Sequence, residues 1–255
     1  ARTEYSIASF YLKYLSWCVG VVFGRWALSP SEKYSKGPFA SLVSPSVLVE
    51  NINSEVSVMT AESLGFAVSE IARGLNNFES FESDLMAECG FKDYKSVFYY
   101  PKYFFSYHLS EYTKSRRTAP VYWALQTPSC SFTLWIYYHK LNQQTLFECI
   151  NNYIEGPSGE LTVCVNRVSY LRRISARSSL EEVELANLLS YEFELVEFRD
   201  ELLEVAKTWR PNFEDGVQIC AAPLWNFFQH KPWRNKLKKT YLELVQGGYD
   251  WSKMA

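Results

Sequence analysis

The chain has 255 residues, of which 47% are hydrophobic and 17% aromatic; with charged residues at only 21% this excludes a disordered chain and allows one large domain or two small ones. The net charge of −2 excludes a global basic field, so any nucleic-acid contact must rest on local patches. Six cysteines stand singly, with no C-x-x-C pair and no histidine at ligand spacing, which argues against zinc and reads as the reduced thiols of a cytoplasmic protein.

From the N-terminus, Phe10, Tyr14, Trp17, Cys18, Val21 and Val22 recur at three- and four-residue steps and predict a mostly buried helix over Tyr5–Phe23. The same stretch is the one membrane candidate, but Lys13, Arg25 and two glycines favour a buried helix over a span. Residues 28–53 turn to Ser, Pro, Gly and Lys and predict a long loop with a short strand at Val47–Val49. Thr60 is placed to cap a helix that carries Leu64, Val68, Ile71 and Leu75 on one face. A shorter helix follows, with Phe78, Phe81 and Leu85, stopped by Gly90. Residues 91–115 are crowded with aromatics, and Pro101 is expected to open a helix with Phe104, Phe105, His108 and Tyr112 on one side.

The central feature is a hairpin, with strands at Val121–Thr127 and Phe132–Tyr138 around a Pro128–Ser129 turn. The second strand alternates poorly and is predicted to be central, covered on both faces. Asn142 then caps a helix to Ile154, which faces Leu146, Ile150 and Tyr153 inward, and residues 155–159 break it. Residues 161–180 hold four arginines and no acid, whereas 181–204 hold nine acids and one base. With heptad-like leucines over Leu180–Trp209, this predicts an antiparallel helical hairpin. After Pro211, Asp215–Gly216 is a turn, the apolar run Val217–Leu224 is expected as a strand, and Trp233–Val245 as a last helix.

The expected fold is mixed α/β: a small sheet around the central hairpin, packed by helices, with a long helical hairpin appended. Its units would be 1–155, 156–210 and 211–255.

Catalytic patterns are missing. The glycines Gly20 and Gly24 lie in an apolar helix and suit packing rather than phosphate binding; no G-x-S-x-G elbow occurs. His108 and His139, each inside an aromatic segment, read as structural histidines. Asp215 could be half of a nuclease metal site, but Gln218 and Cys220 stand where an acid and a lysine would follow. What remains is three basic clusters beside aromatics: Lys114, Arg116 and Arg117; Arg167, Arg172, Arg173 and Arg177; and Lys231, Arg234, Lys236, Lys238 and Lys239. They suit phosphate contacts, or else form solvated faces that pair with the acidic arm.

Several blocks, in order, resemble a known family. Leu15–Trp26 (LSWCVGVVFGRW), Arg116–Trp123 (RRTAPVYW), the strand Ser131–Leu141, Asp215-Gly216-Val217 with Ala222-Pro223-Leu224, then Trp233 and Gly248-Tyr249-Asp250-Trp251 carry it. Together they are similar to the C-terminal region of PglX-type adenine-specific DNA methyltransferases of the BREX and DISARM phage-defence systems, and of related fused restriction–modification enzymes. Glu214 departs from the aspartate usual there, and residues 28–58 and 155–180 match poorly.

The resemblance implies a DNA-recognition or accessory module, with duplex DNA and a methyltransferase catalytic domain or other defence subunits as partners and no membrane. The Asn-Pro-Pro-Tyr motif that holds a flipped adenine is missing from this chain, as is a Gly-rich turn for S-adenosylmethionine. That cofactor is therefore expected in the catalytic part of the parent enzyme, and the chain is expected to be an excised piece or a separate subunit. A scaffold without DNA contact is the alternative.

Overall fold

Ten consecutive-strand residues with no exposed side chain organise the molecule: β4 (Tyr122–Gln126) and β5 (Thr133–Tyr137) are buried throughout. The computed structural model describes residues 7–26, 56–73, 83, 87, 90, 96–115 and 117–250. β4 and β5 pair antiparallel with Ala124 opposite Trp135, and β1 (Val58–Thr60) pairs with the other edge of β5, Val58 opposite Ile136. The order β1-β5-β4 makes β5 central, as its poor alternation predicts.

Each face of the sheet is closed by aromatics. On one, Phe23 of α1 (Ile7–Val22 and the turn after it) stacks on Tyr122, and Trp135 meets Phe98 of α3 (Ser96–Tyr99) and Phe104 and Phe105 of α4 (Phe104–Glu111). On the other, Trp123 packs against Tyr138 and Phe228. Two polar side chains caught in this core are bonded: Trp135 Nε1 donates to the Phe98 carbonyl at 3.0 Å, and Gln126 Nε2 donates to the Tyr99 carbonyl and to Thr133 Oγ1.

Local signals act as read. Thr60 Oγ1 accepts from Ser63 N at 3.1 Å and starts α2 (Ala61–Arg73), which buries Leu64, Val68 and Ile71. Gly24, at φ 68, ends α1. A Cβ on Gly20 would lie 2.5 Å from the Trp26 ring, so that glycine lets Trp26 fold back on α1. Among the described residues no helix is long and apolar enough to cross a membrane. Asn142 Oδ1 accepts from Gln144 N ahead of α5 (Thr145–Glu148), which widens into a π-helix over Cys149–Ile154. The loop and strand expected at 28–53, and the helix of Phe78, Phe81 and Leu85, lie outside the described residues.

Two expectations change. α4 opens at Phe104 rather than Pro101, because residues 101–103 form a turn. The run Val217–Leu224 is helical, not a strand: α8 (Gly216–Ala221) continues as a 3₁₀ turn over Ala222–Phe227. Val217, Cys220, Ala221 and Leu224 fall at helical spacing, and this signal outweighs the apolar character of the run.

The helical hairpin is α6 (Glu160–Arg173) and α7 (Ser179–Thr208). Ser178 and Glu181 form a reciprocal capping box: Ser178 Oγ accepts from Glu181 N, and the Glu181 carboxylate accepts from Ser178 N. α6 buries Leu161, Cys164, Val168 and Leu171; α7 buries Leu195, Phe198, Leu202 and Ala206. Phe198 meets Phe132 of the hairpin turn and Phe227, which ties α7 to the sheet. The last helix, α9, runs Lys231–Val245. One hydrophobic cluster extends from Tyr14 to Leu237 through all three segments.

Candidate nucleic-acid interface

Two of the three basic clusters meet. Lys114 in β2 (Thr113–Lys114) pairs in register with Arg117 in β3 (Arg117–Thr118), and Ser115 between them sits at φ 53. Both basic side chains are exposed, and neither has an ion-pair partner among the described residues. Arg116, the third member, lies outside the described residues. Across from this turn, Lys236 Nζ of α9 donates to Thr118 Oγ1 at 3.0 Å. Lys239, one turn further, has a side chain 79% exposed and stands 3.9 Å from Glu243. Segments more than a hundred positions apart thus adjoin, and the bases of the turn, Lys114 and Arg117, with those of the helix beside it, Lys236 and Lys239, make up a basic edge shared by two elements.

Arg25 supports the turn from beneath, a role that sequence reasoning missed. Its guanidinium donates to the Tyr112 hydroxyl and lies 5.0 Å from the Trp26 ring centroid. Tyr112 in turn accepts Ala119 N through its carbonyl at 3.0 Å, which closes the β2–β3 loop. The aromatic neighbours of Arg25 were visible in the sequence only as far as Trp26; Tyr112 is distant in the chain.

The other row of α9 bases surrounds an aromatic. Arg234 lies 5.5 Å and Lys238 4.6 Å from the Trp225 centroid, and Arg234 Nη2 also donates to Asn226 Oδ1 at 2.6 Å. Lys231 is exposed at the start of the helix. Burial lowers the Lys236 pKa from its ordinary value, consistent with its inward seat beside Trp233.

The α6 cluster is different. Arg167 makes a bidentate pair with Glu184, at 2.7 and 2.9 Å, and Arg177 pairs with Glu182 at 2.7 Å while it also donates to the Leu171 and Ile174 carbonyls. These two arginines staple the hairpin and cap α6 rather than face a ligand. Arg172 and Arg173 remain exposed in the last turn of α6, without ion-pair partners among the described residues.

Among the described residues the remaining candidates take structural roles. His108 is buried, and its Nε2 accepts the amides of Val121 and Tyr122 at 3.0 and 3.1 Å; burial drives its pKa down to about 3, so it is a neutral structural acceptor. Burial raises the thiols of Cys18 and Cys149, opposite to what a nucleophile needs. Among the described residues no three of His, Cys, Asp and Glu gather as metal ligands. Asp215 lines a cleft of about 480 Å³ with Trp209, Arg210 and Tyr241, but Arg210 spends its guanidinium on the carbonyls that end α7. No protein-family model matches the chain, and no curated protein matches it.

Proposed function

We propose that the chain is a DNA-recognition or accessory module of an N6-adenine DNA methyltransferase in a phage-defence system of the BREX, DISARM or restriction–modification kind, with catalysis carried by another part. The basis is the ordered set of motif blocks together with one observation: the Lys236–Thr118 hydrogen bond, which sets two basic segments side by side. Bases set on a short strand turn and a helix flank suit phosphate oxygens, which position a module on duplex DNA without reading sequence. S-adenosylmethionine belongs to the catalytic part, because this chain has no Gly-rich turn to receive it.

The test is duplex DNA binding, followed by fluorescence anisotropy, of the wild type beside an Arg117→Ala/Lys239→Ala variant. The reading expects weaker binding to every sequence tried. Equal affinity of the two proteins excludes this edge as the contact.

One observation favours a second reading, a scaffold without DNA contact. The acidic arm takes up Arg167 and Arg177, so half of the α6 cluster serves internal structure. That reading expects no DNA binding even at low salt.

A further inference from the structure

α7 is apolar on two sides. Its inward side, with Leu185, Leu188, Leu195, Phe198 and Leu202, packs on α6 and the body. The other side carries Val183, Ala186, Leu189 and Phe193, and all four are exposed. Val183 is 60%, Leu189 37% and Phe193 63% exposed. Steps of three, three and four residues place them as neighbours in a strip along one side of the helix, about 15 Å long at 1.5 Å per residue. A two-helix hairpin covers only one side of each helix, so α6 cannot close this strip. Contiguous apolar surface of this kind marks an interaction site.

Charge decides the occupant. Residues 181–204 hold nine acids against Arg199 alone. Beside the strip, Glu197 is exposed and Glu192 half-buried, and neither has an ion-pair partner among the described residues. A second copy of α7 laid on the strip would bring like charges together at its flanks, which opposes pairing. A helix with an apolar stripe flanked by lysines and arginines meets both requirements. We propose that the outer strip of α7 docks a basic amphipathic helix of a partner protein, as the third helix of a bundle with α6 and α7. The strip and the basic edge lie on different elements, so this site is independent of DNA contact.

The experiment uses the full chain and two synthetic helical peptides with leucine at heptad a and d positions, one with lysine and one with glutamate at e and g. Titration calorimetry is run on the wild type and on Leu189→Ser/Phe193→Ser, whose exposed positions leave folding intact by circular dichroism. The lysine peptide is expected to bind, more weakly in high salt, and the variant to lose about tenfold or more in affinity; the glutamate peptide is expected not to bind. Equal binding of both peptides, or an unaffected variant, overturns the proposal. Sedimentation of the chain alone adds a further outcome: a dimer that Leu189→Ser/Phe193→Ser dissolves would assign the strip to a second copy and also overturn it. DNA binding of the same variant stays at the wild-type level, which keeps this result separate from the fate of the DNA reading.

Discussion

His108 holds the entry to β4 by accepting two backbone amides on one ring nitrogen, and it does so only while neutral. Its folded pKa of about 3 lies below the ordinary 6.5. As pH falls through 6.5 the unfolded chain binds a proton that the folded chain refuses, so stability falls between about pH 6.5 and 3. The loss reaches about 1.4 kcal/mol per pH unit within that window. Burial lowers His139 and His230 as well, which adds in the same direction. Urea unfolding between pH 7 and 4 checks this: the midpoint should drop, and a His108→Gln variant, less stable at pH 7, should show a flatter profile. A wild-type midpoint independent of pH contradicts the assignment. That His108 is structural was legible from its aromatic surroundings. Its partners were not, because they sit 13 and 14 residues along the chain, past a turn whose path depends on Arg25 and Tyr112.

At the scale of elements, local chemistry was the readable part. The β4–β5 hairpin, the cap at Thr60 and the α6–α7 hairpin all follow from residues within a few positions of each other, whereas Asn142 forms a turn ahead of α5, whose cap position is Gln144. The capping box at Ser178 starts the longest helix among the described residues, so Ser178→Ala should lower stability by about 1 kcal/mol. Hydrogen exchange localises the effect: amides in the first turn of α7 should exchange faster, with those near Leu202 unchanged. Protection that stays the same throughout α7 would mean that packing on α6 alone sets this helix end. The run Val217–Leu224 was misread because apolar character was weighed above the helical spacing of Val217, Cys220, Ala221 and Leu224. Its tryptophan neighbour, Trp209, donates Nε1 to the Cys220 carbonyl at 2.9 Å and fixes the helix in place.

For the whole molecule, the decisive joint is Phe198, wedged between Phe132 and Phe227 where α7 meets the hairpin turn. Phe198→Ala should cost about 3–5 kcal/mol, the usual price of deleting a buried phenylalanine. Chemical denaturation reads this directly; a loss under about 1 kcal/mol would show that the helical hairpin is not anchored there. The mixed α/β architecture was visible in the order of elements, but the joint was not: it brings residues 132, 198 and 227 together across the chain. The same holds for the candidate site. Three clusters of bases could be seen in the sequence, yet which converge and which pair with acids depends on how α9 lies beside the β2–β3 turn and how α6 lies against α7.

The most direct measurement is duplex DNA binding across a salt series. The wild type is compared with Lys114→Ala/Arg117→Ala/Lys239→Ala on the basic edge and with Arg167→Ala/Arg177→Ala, the paired arginines of α6. Binding should weaken steeply with salt, and each phosphate-contacting base removed from the edge should lower the log–log slope by about one. The α6 variant should keep the wild-type slope, because its arginines already hold Glu184 and Glu182. An edge variant with an unchanged slope, or a wild type that does not bind at low salt, contradicts the account.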